Sequence, residues 1–446
     1  MSRERDNLIQ LITLAIPVVL EQILTTLLQY VDTAMVGQLG PLATSSVSQT
    51  SSVNWLIGSL FGALGVAVVA IISSAYGASD YDKIHRMVRQ TVLYAFVCGI
   101  GATLVACVLS PYIPVWMQAS VEIQKSASEY FFIISLALLF RSFNMVFASA
   151  LRAVKDTRTP MIINLAANVL NVVLNYLLIY TAGLGVRGAA IATAVSSAVS
   201  GLLMFFFMMR NPLLKTTLKG MELDRSILRE TTVIAMPTMA TSTASCMGHI
   251  VFASLVSSMG TTVFAAHSIA LSAETVFYLP GYGIRSATST LIGISVGEDN
   301  IEKYRMIKKQ SIILTLIMMS FTGLTLFFCA GSIMKIFTPD ATVVSLGTSV
   351  LRLIAISEPL YGLMIVSEGI YYGLGKTKIP FIVETLGAWA IRIPFTIICV
   401  KVLHTTLFEV WICMLADNTF RAIAMASPLL LGKDSKYFEE RRKSIA

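Results

Sequence analysis

The chain has 446 residues, of which 55% are hydrophobic and only 13% charged, and its mean hydropathy is +0.75. A soluble domain carries roughly 25% charged residues, so this composition excludes a water-soluble globular protein and describes a polytopic membrane protein. The net charge of +8 is spread over short loops, with no aromatic-interleaved basic patch outside the apolar runs, which excludes a nucleic-acid partner.

Residues 1–6 are polar, and the apolar run after them has no small-residue cleavage site, so it reads as a retained first span rather than a signal peptide. Crossing a hydrocarbon core of roughly 30 Å takes about 20 apolar residues in a helix. Runs of that kind fall near 8–36, 44–74, 88–110, 123–151, 160–181 and 187–210, then near 231–256, 264–294, 310–330, 344–372, 380–402 and 407–431. The expected fold is an all-α membrane protein of twelve transmembrane helices. The second six repeat the first at an offset of 220: LITLAIP ending at Pro17 returns as TTVIAMP ending at Pro237, and VKDTRTP ending at Pro160 returns as LGKTKIP ending at Pro380. Gly40, Ser48, Gly77, Lys83, Gln90 and Thr157 fall in the same register on Gly260, Ser268, Gly297, Lys303, Gln310 and Thr377. Because each half has an even number of spans, the halves are parallel repeats.

The expected organisation is an N-lobe at 1–210, a cytoplasmic inter-lobe linker at 211–230, a C-lobe at 231–432 and a basic cytoplasmic tail at 433–446. Basic residues fix the orientation. Arg3, Arg5, Lys83, Arg86, Arg89, Arg152, Lys155, Arg158 and their second-half counterparts share one face with the tail, against only Lys125, Arg187, Lys335 and Lys401 opposite. The positive-inside rule therefore places both termini in the cytoplasm of a multi-pass inner (plasma) membrane protein. The linker's Leu213, Leu214, Leu218, Met221, Leu223, Ile227 and Leu228 among lysines fit either an interfacial amphipathic helix or a plain polar connection.

Three motifs carry no chemistry. GIYYGLGKT at 369–377 is one residue out of register for a P-loop, which needs glycine where Ile370 stands. Asp80, Asp82 and His85 lie in a solvated turn and read as surface charge rather than as a metal site. The cysteines at 98, 107, 246, 329, 399 and 413 all sit in apolar runs without CxxC spacing, so they read as packing residues.

A charge at the bilayer centre costs about 2.5–3.5 kcal/mol on insertion scales, so each one must face protein or water. The first span carries Asp32, with Glu21 eleven residues earlier and Thr25 and Gln29 between them on the same side; no basic residue of that span interrupts the stripe. The fifth span has Asn164, Asn168, Asn171 and Asn175, spaced four, three and four along one face. Such a stripe is either interhelical glue or the wall of a wet cavity. A lone acid facing amides suits a cation and proton site, because an amide can hydrogen-bond either form of the carboxyl group. The second half differs, with Glu274, Glu358, Glu368, Glu384, Glu409 and Asp417 beside Arg285, Arg352, Arg392 and Arg421. Asp417 and Arg421, four apart, and Glu274 and Arg285, eleven apart, can each share a helix face. They read as structural ion pairs, with a proton relay as the alternative. The 21 methionines and 22 phenylalanines fit a pliable apolar cavity, though such residues also simply pack helices.

LAIPVVLEQ at 14–22, YVDTAMVGQLG at 30–40, LRAVKDTRTP at 151–160, NVLNVVLN at 168–175 and GVRGAAIATA at 185–194 together resemble the multidrug and toxic compound extrusion (MATE) transporters, most of all the DinF branch. The resemblance covers nearly the whole chain. It implies two six-helix lobes around a central cleft, and export of cationic organic drugs or dyes coupled to proton or sodium entry, by a monomer among membrane lipids with no cofactor. By motif position Asp32 matches the family's first-helix aspartate, Asn171 a fifth-helix asparagine and Thr193 a sixth-helix threonine of the N-lobe cavity. Asn175 departs, since several prokaryotic relatives have aspartate there. Where the NorM branch places acids in helices 7 and 10, this chain has Ser245 and Tyr361, which favours protons over sodium.

The expected coupling and substrate residues are therefore Asp32, Asn171, Asn175, Thr193 and Gln29, with Asn168, Glu21, Glu274 and Asp417 as secondary candidates, and no catalytic or metal-binding residues. Three rival readings lack the features they require. A lipid flippase of the same superfamily would need a basic cavity, a major facilitator transporter would need a glycine- and arginine-rich loop where SSAYGASDYDKIHRM stands, and an intramembrane enzyme would need HExxH, GxSxG or paired DxxD motifs.

Overall fold

The structure is a computed structural model that describes residues 2–117, 119–217 and 222–445. These residues form helices joined by short turns, and the apolar runs account for where the helices lie. The first span is Ser2–Gly37, and the seventh is Arg225–Ser257; both continue through their internal prolines, Pro17 and Pro237. The second is broken into Pro41–Ser48 and Ser51–Gly77, at a Ser-Gln-Thr-Ser cluster where the Thr50 hydroxyl donates to the Val47 carbonyl and competes with the helical ladder. The third is Tyr81–Leu109. The fourth is a pair, Val121–Ser135 and Leu138–Ala153, bent by 49°. Then come Arg158–Thr181, Gly185–Arg210, Thr261–Gly297, Ile301–Phe337, Ala341–Gly373 and Lys378–Val402.

Among the described residues ten helices are long and apolar enough to cross a membrane, or eleven with the bent pair counted as one span. Leu407–Leu430, with Asp417, Asn418 and Arg421 in its middle, is the twelfth.

The repeat extends to the backbone chemistry of the turns. Gly40 and Gly260 open the second and eighth spans at φ 105° and 118°, a region that glycine enters without a Cβ penalty. Asp80 caps the third span by accepting from the Lys83 amide, and Asn300 caps the ninth by accepting from the Lys303 amide, both at 2.9 Å. The turn after the fourth span takes φ 68° at Lys155, and its counterpart takes φ 67° at Gly375. Both Arg158–Thr181 and Lys378–Val402 end in π-helical turns, Tyr176–Thr181 and Ile398–Val402.

Contacts divide the chain into two compact units, Leu20–Ala235 on the one hand and Met1–Val19 with Met236–Ala446 on the other. The opening turns of the first and seventh spans are thus exchanged between the halves. In the unit of residues 20–235, Ile227, Ile234 and Ala235 join a core of Phe61, Phe131, Phe143 and Phe147, and Gln90 donates to the Glu222 carbonyl at 2.7 Å. In the other unit, Leu11, Leu14 and Ala15 join a core of Leu291, Ile292, Tyr371 and Met425, and Gln310 donates to the Glu4 carbonyl, also at 2.7 Å.

Residues 225–230 are the first turns of the seventh span, capped by Asp224, which accepts from the Ser226 and Ile227 amides. They form no separate interfacial helix; Leu218, Lys219 and Met221 of the connection lie outside the described residues.

Candidate functional site

Three asparagines of the fifth-span stripe meet the first span in register. Asn164 donates to Glu21 at 2.6 Å, Asn168 donates to Thr25 at 3.0 Å, and Asn175 donates to Asp32, each pair separated by 143 positions. A constant separation means that the two helices run parallel, side by side, so the spacing of Asn164, Asn168 and Asn175 is matched by Glu21, Thr25 and Asp32, while Asn171 turns to the sixth span. All of these residues belong to the unit Leu20–Ala235.

At the Asp32 end of the ladder the amides form a chain. Asn175 is fully buried and donates both to Asp32 and, at 3.2 Å, to the Asn171 carbonyl oxygen. Asn171 in turn donates to the hydroxyls of Thr193 and Ser196 of the sixth span, both at 3.4 Å. Four of the five primary candidates, Asp32, Asn171, Asn175 and Thr193, are therefore brought together. Ser196, three residues after Thr193 and so on the same helix face, is a further member. Gln29 is exposed, and the Thr33 hydroxyl donates to its backbone oxygen at 2.9 Å. The Asn175 amide oxygen is buried without a partner. Asp32 forms no ion pair among the described residues.

The Glu21 end of the ladder is electrostatically different. Glu21, which the stripe alone left without a counter-charge, is held by Arg152 of the fourth span, whose Nη2 donates to both carboxylate oxygens at 2.8 and 2.9 Å. Asn144 of the same span donates to Asn164 at 2.7 Å and completes the cluster. Glu21 is thus a neutralised structural anchor. Arg152 was missed because it stands at a helix end, where it reads as topology; the eight-residue spacing of Asn144 and Arg152 was the available signal. Arg141 also lies inside this span, and a Cβ at Gly58 would sit 3.0 Å from its guanidinium.

In the unit that contains Met236–Ala446, some of the buried acids pair with arginines and others do not. Asp417 is fully buried between Arg421, whose Nε donates at 2.6 Å, and Arg392 at 2.8 Å. The expected partnership of Glu274 with Arg285 does not form. Arg285 donates instead to Glu368 of the tenth span at 2.5 Å, its guanidinium over the rings of Tyr282 and Tyr372 at 4.5 and 5.8 Å, and Tyr372 donates to the same carboxylate. Three turns of a helix align two residues on a face, but a closer carboxylate on a neighbouring helix competes for the guanidinium and wins. Glu274 is buried, and so is Glu358, whose two carboxylate oxygens have no hydrogen-bond partner.

The position that offset 220 pairs with Asp32 is Phe252, which is buried, with the Arg392 guanidinium 5.7 Å over its ring. Among the described residues no group of three or more His, Cys, Asp or Glu side chains could hold a metal ion. Asp80 serves as a helix cap. Of the six cysteines, all free, Cys399 and Cys413 lie close, with their sulfurs 3.7 Å apart.

The MatE family model matches residues 17–177 and 237–398, beginning in each half at the repeated proline. A probable multidrug resistance protein NorM from Thermotoga maritima is 28% identical over 433 residues, covering 96% of this chain and 93% of that protein. Human multidrug and toxin extrusion protein 1 is 24% identical over 429 residues, covering 95% of this chain and 74% of its own. These names carry the family and not the DinF branch. Two solved structures share the fold. A multidrug resistance MATE family transporter in an outward-facing conformation has TM-score 0.90 at 23% identity, covering 98% of this chain and 96% of its own. A MOP superfamily transporter from Pyrococcus furiosus has TM-score 0.91 at 22% identity, covering 96% and 97%. With both repeats matched and the twelve-helix fold shared end to end, the chain belongs to the MatE family: it is a multi-pass membrane transporter and not an enzyme.

Proposed function

We propose that the protein is a multidrug efflux transporter of the inner membrane, with cytoplasmic termini, that exports cationic lipophilic compounds by proton-coupled antiport with alternating access of its two lobes. The names of the relatives support the drug-efflux part of this reading. The observation that carries the coupling part is the difference between the two ends of the ladder: Glu21 is neutralised by Arg152 at 2.8 Å, whereas Asp32 forms no ion pair among the described residues and is bonded to Asn175, which leads on to Asn171, Thr193 and Ser196.

An acid without a fixed counter-charge can exchange a proton for a cationic substrate. The arrangement around Asp32 suits its ionised form, because Asn175 spends both amide hydrogens as a donor and leaves its oxygen unused. When Asp32 is protonated it must donate, and a half-turn of the Asn175 amide presents that spare oxygen as acceptor. Deprotonated on the cytoplasmic side, Asp32 attracts the cation; protonated from outside, it releases it. One proton exchanged for one monovalent cation moves no net charge, so the membrane potential drops out and the drive is about 1.4 kcal/mol per pH unit. A second proton adds about 2.3 kcal/mol per 100 mV.

Ser245 and Tyr361, where acids would favour sodium, weigh toward protons. Export of a cationic dye by the pure protein in liposomes tests this reading. Collapse with the pH gradient is expected, and collapse with the sodium gradient alone would exclude proton coupling.

A further inference from the structure

Within the unit Leu20–Ala235, away from the asparagine ladder, the opening turns of the third span and the segment after the sixth border an open cavity of about 790 Å³. His85, Arg86 and Arg89 line it from the helix, and Lys215, Thr216 and Thr217 from the connecting segment, with Asp82 the acid of its described lining. The walls are built rather than incidental. Spacing of 82, 85, 86 and 89 puts these side chains on one face of a helix whose start is fixed by the Asp80 cap. The segment opposite is anchored by Leu214, fully buried, two residues after Pro212. Beyond it, Gln90 holds the Glu222 carbonyl at 2.7 Å.

The charges around this cavity are not balanced as their neighbours are. Lys83 pairs with Glu230 and Arg86 with Asp224, both at 3.4 Å. Arg89 and Lys215 have no carboxylate partner among the described residues, and both border the cavity. The positive-inside rule asks only for basic residues in the loops; it does not ask two of them to face one concave site unpaired. The site lies at the ends of two membrane spans, Tyr81–Leu109 and Gly185–Arg210, which is the level of lipid headgroups. Basic pockets at that level bind anionic headgroups, each Lys or Arg contributing about 1 kcal/mol.

We propose that this cavity binds the phosphate of an anionic phospholipid, held by Arg89 and Lys215, with the Thr216 and Thr217 hydroxyls as further donors. The site tethers the third span and the inter-half segment to the lipid surface, independently of the transport reaction.

Titrating the full-length protein in neutral detergent with phosphatidylglycerol, with phosphatidylcholine and with inorganic phosphate, and reading thermal stabilisation, tests the assignment. Phosphatidylglycerol is expected to bind at least tenfold more tightly than phosphatidylcholine. The Arg89→Gln/Lys215→Gln variant should bind it about thirtyfold more weakly, two side chains at about 1 kcal/mol each, while Arg89→Lys/Lys215→Arg keeps the binding and shows that the fold is intact. Equal binding of the two lipids, an unchanged Gln variant, or loss in the charge-conserving variant would overturn the proposal. So would inorganic phosphate that stabilises equally at the same concentration, which would mark a free-anion site.

Discussion

Asn175 and Arg152 do opposite things to the two acids of the first span. Arg152 takes Glu21 out of play, and the cost of losing it follows from burial, since Glu21 is 7% exposed. Removing one partner of a buried ion pair costs about 3–5 kcal/mol because the other charge is left stranded. Arg152→Ala should therefore lower unfolding stability in detergent by about that amount, and Glu21→Gln/Arg152→Gln by clearly less; equal losses would mean that the pair is not what anchors these spans. Asn175 orients Asp32 without neutralising it. Asn175→Leu keeps the volume and removes the donor, so it should slow dye export about tenfold or more while leaving the folded fraction unchanged. Wild-type export by that variant would detach the amide chain from coupling.

The elements owe their positions to close approaches that the sequence does not advertise. A Cβ at Gly201 of the sixth span would lie 2.3 Å from the Phe140 carbonyl oxygen and 2.9 Å from its carbonyl carbon, so the fourth and sixth spans meet backbone to backbone there. Gly101 of the third span has nothing within 4 Å. Gly201→Ala should destabilise by about 1–3 kcal/mol or more by overpacking, whereas Gly101→Ala should be neutral or slightly stabilising, as helix propensity alone dictates. Thermal unfolding of the two variants side by side checks this, and equal effects would contradict the packing.

At this scale the sequence is readable where the interaction is local. The asparagine ladder announced itself through its four-three-four spacing, and Asp417 with Arg421 through its four-residue spacing. The Arg285–Glu368 pair, 83 residues apart, and the grip of Arg152 on Glu21, 131 apart, depend on which helix neighbours which. Periodicity within one helix carries no record of that.

Over the whole molecule the repeat is faithful in the backbone and abandoned in the chemistry. Caps at Asp80 and Asn300, left-handed turns at Lys155 and Gly375, and clamps at Gln90 and Gln310 recur at offset 220. Asp32, Asn171 and Asn175 map instead onto Phe252, Ile391 and Phe395. Both facts were legible, since prolines, glycines and caps declare turns locally. The exchange of the opening turns of the first and seventh spans was not, because it is a matter of tertiary partnership. At the position paired with Asp32 the second half has the ring of Phe252 under Arg392, an arginine that Asp417 already holds. The symmetric frame therefore carries different acids in its two halves: Asp32 among amides in one, and the buried Glu274 and Glu358, at positions unrelated to Asp32 by the offset, in the other.

The direct test is dye export by Asp32→Asn in liposomes with an imposed pH gradient and no sodium. The account predicts at least a tenfold loss of pH-driven export by a variant that remains folded, with weaker dye binding because the neutral amide mimics the protonated, releasing form of Asp32. Full pH-driven extrusion by that variant would contradict it.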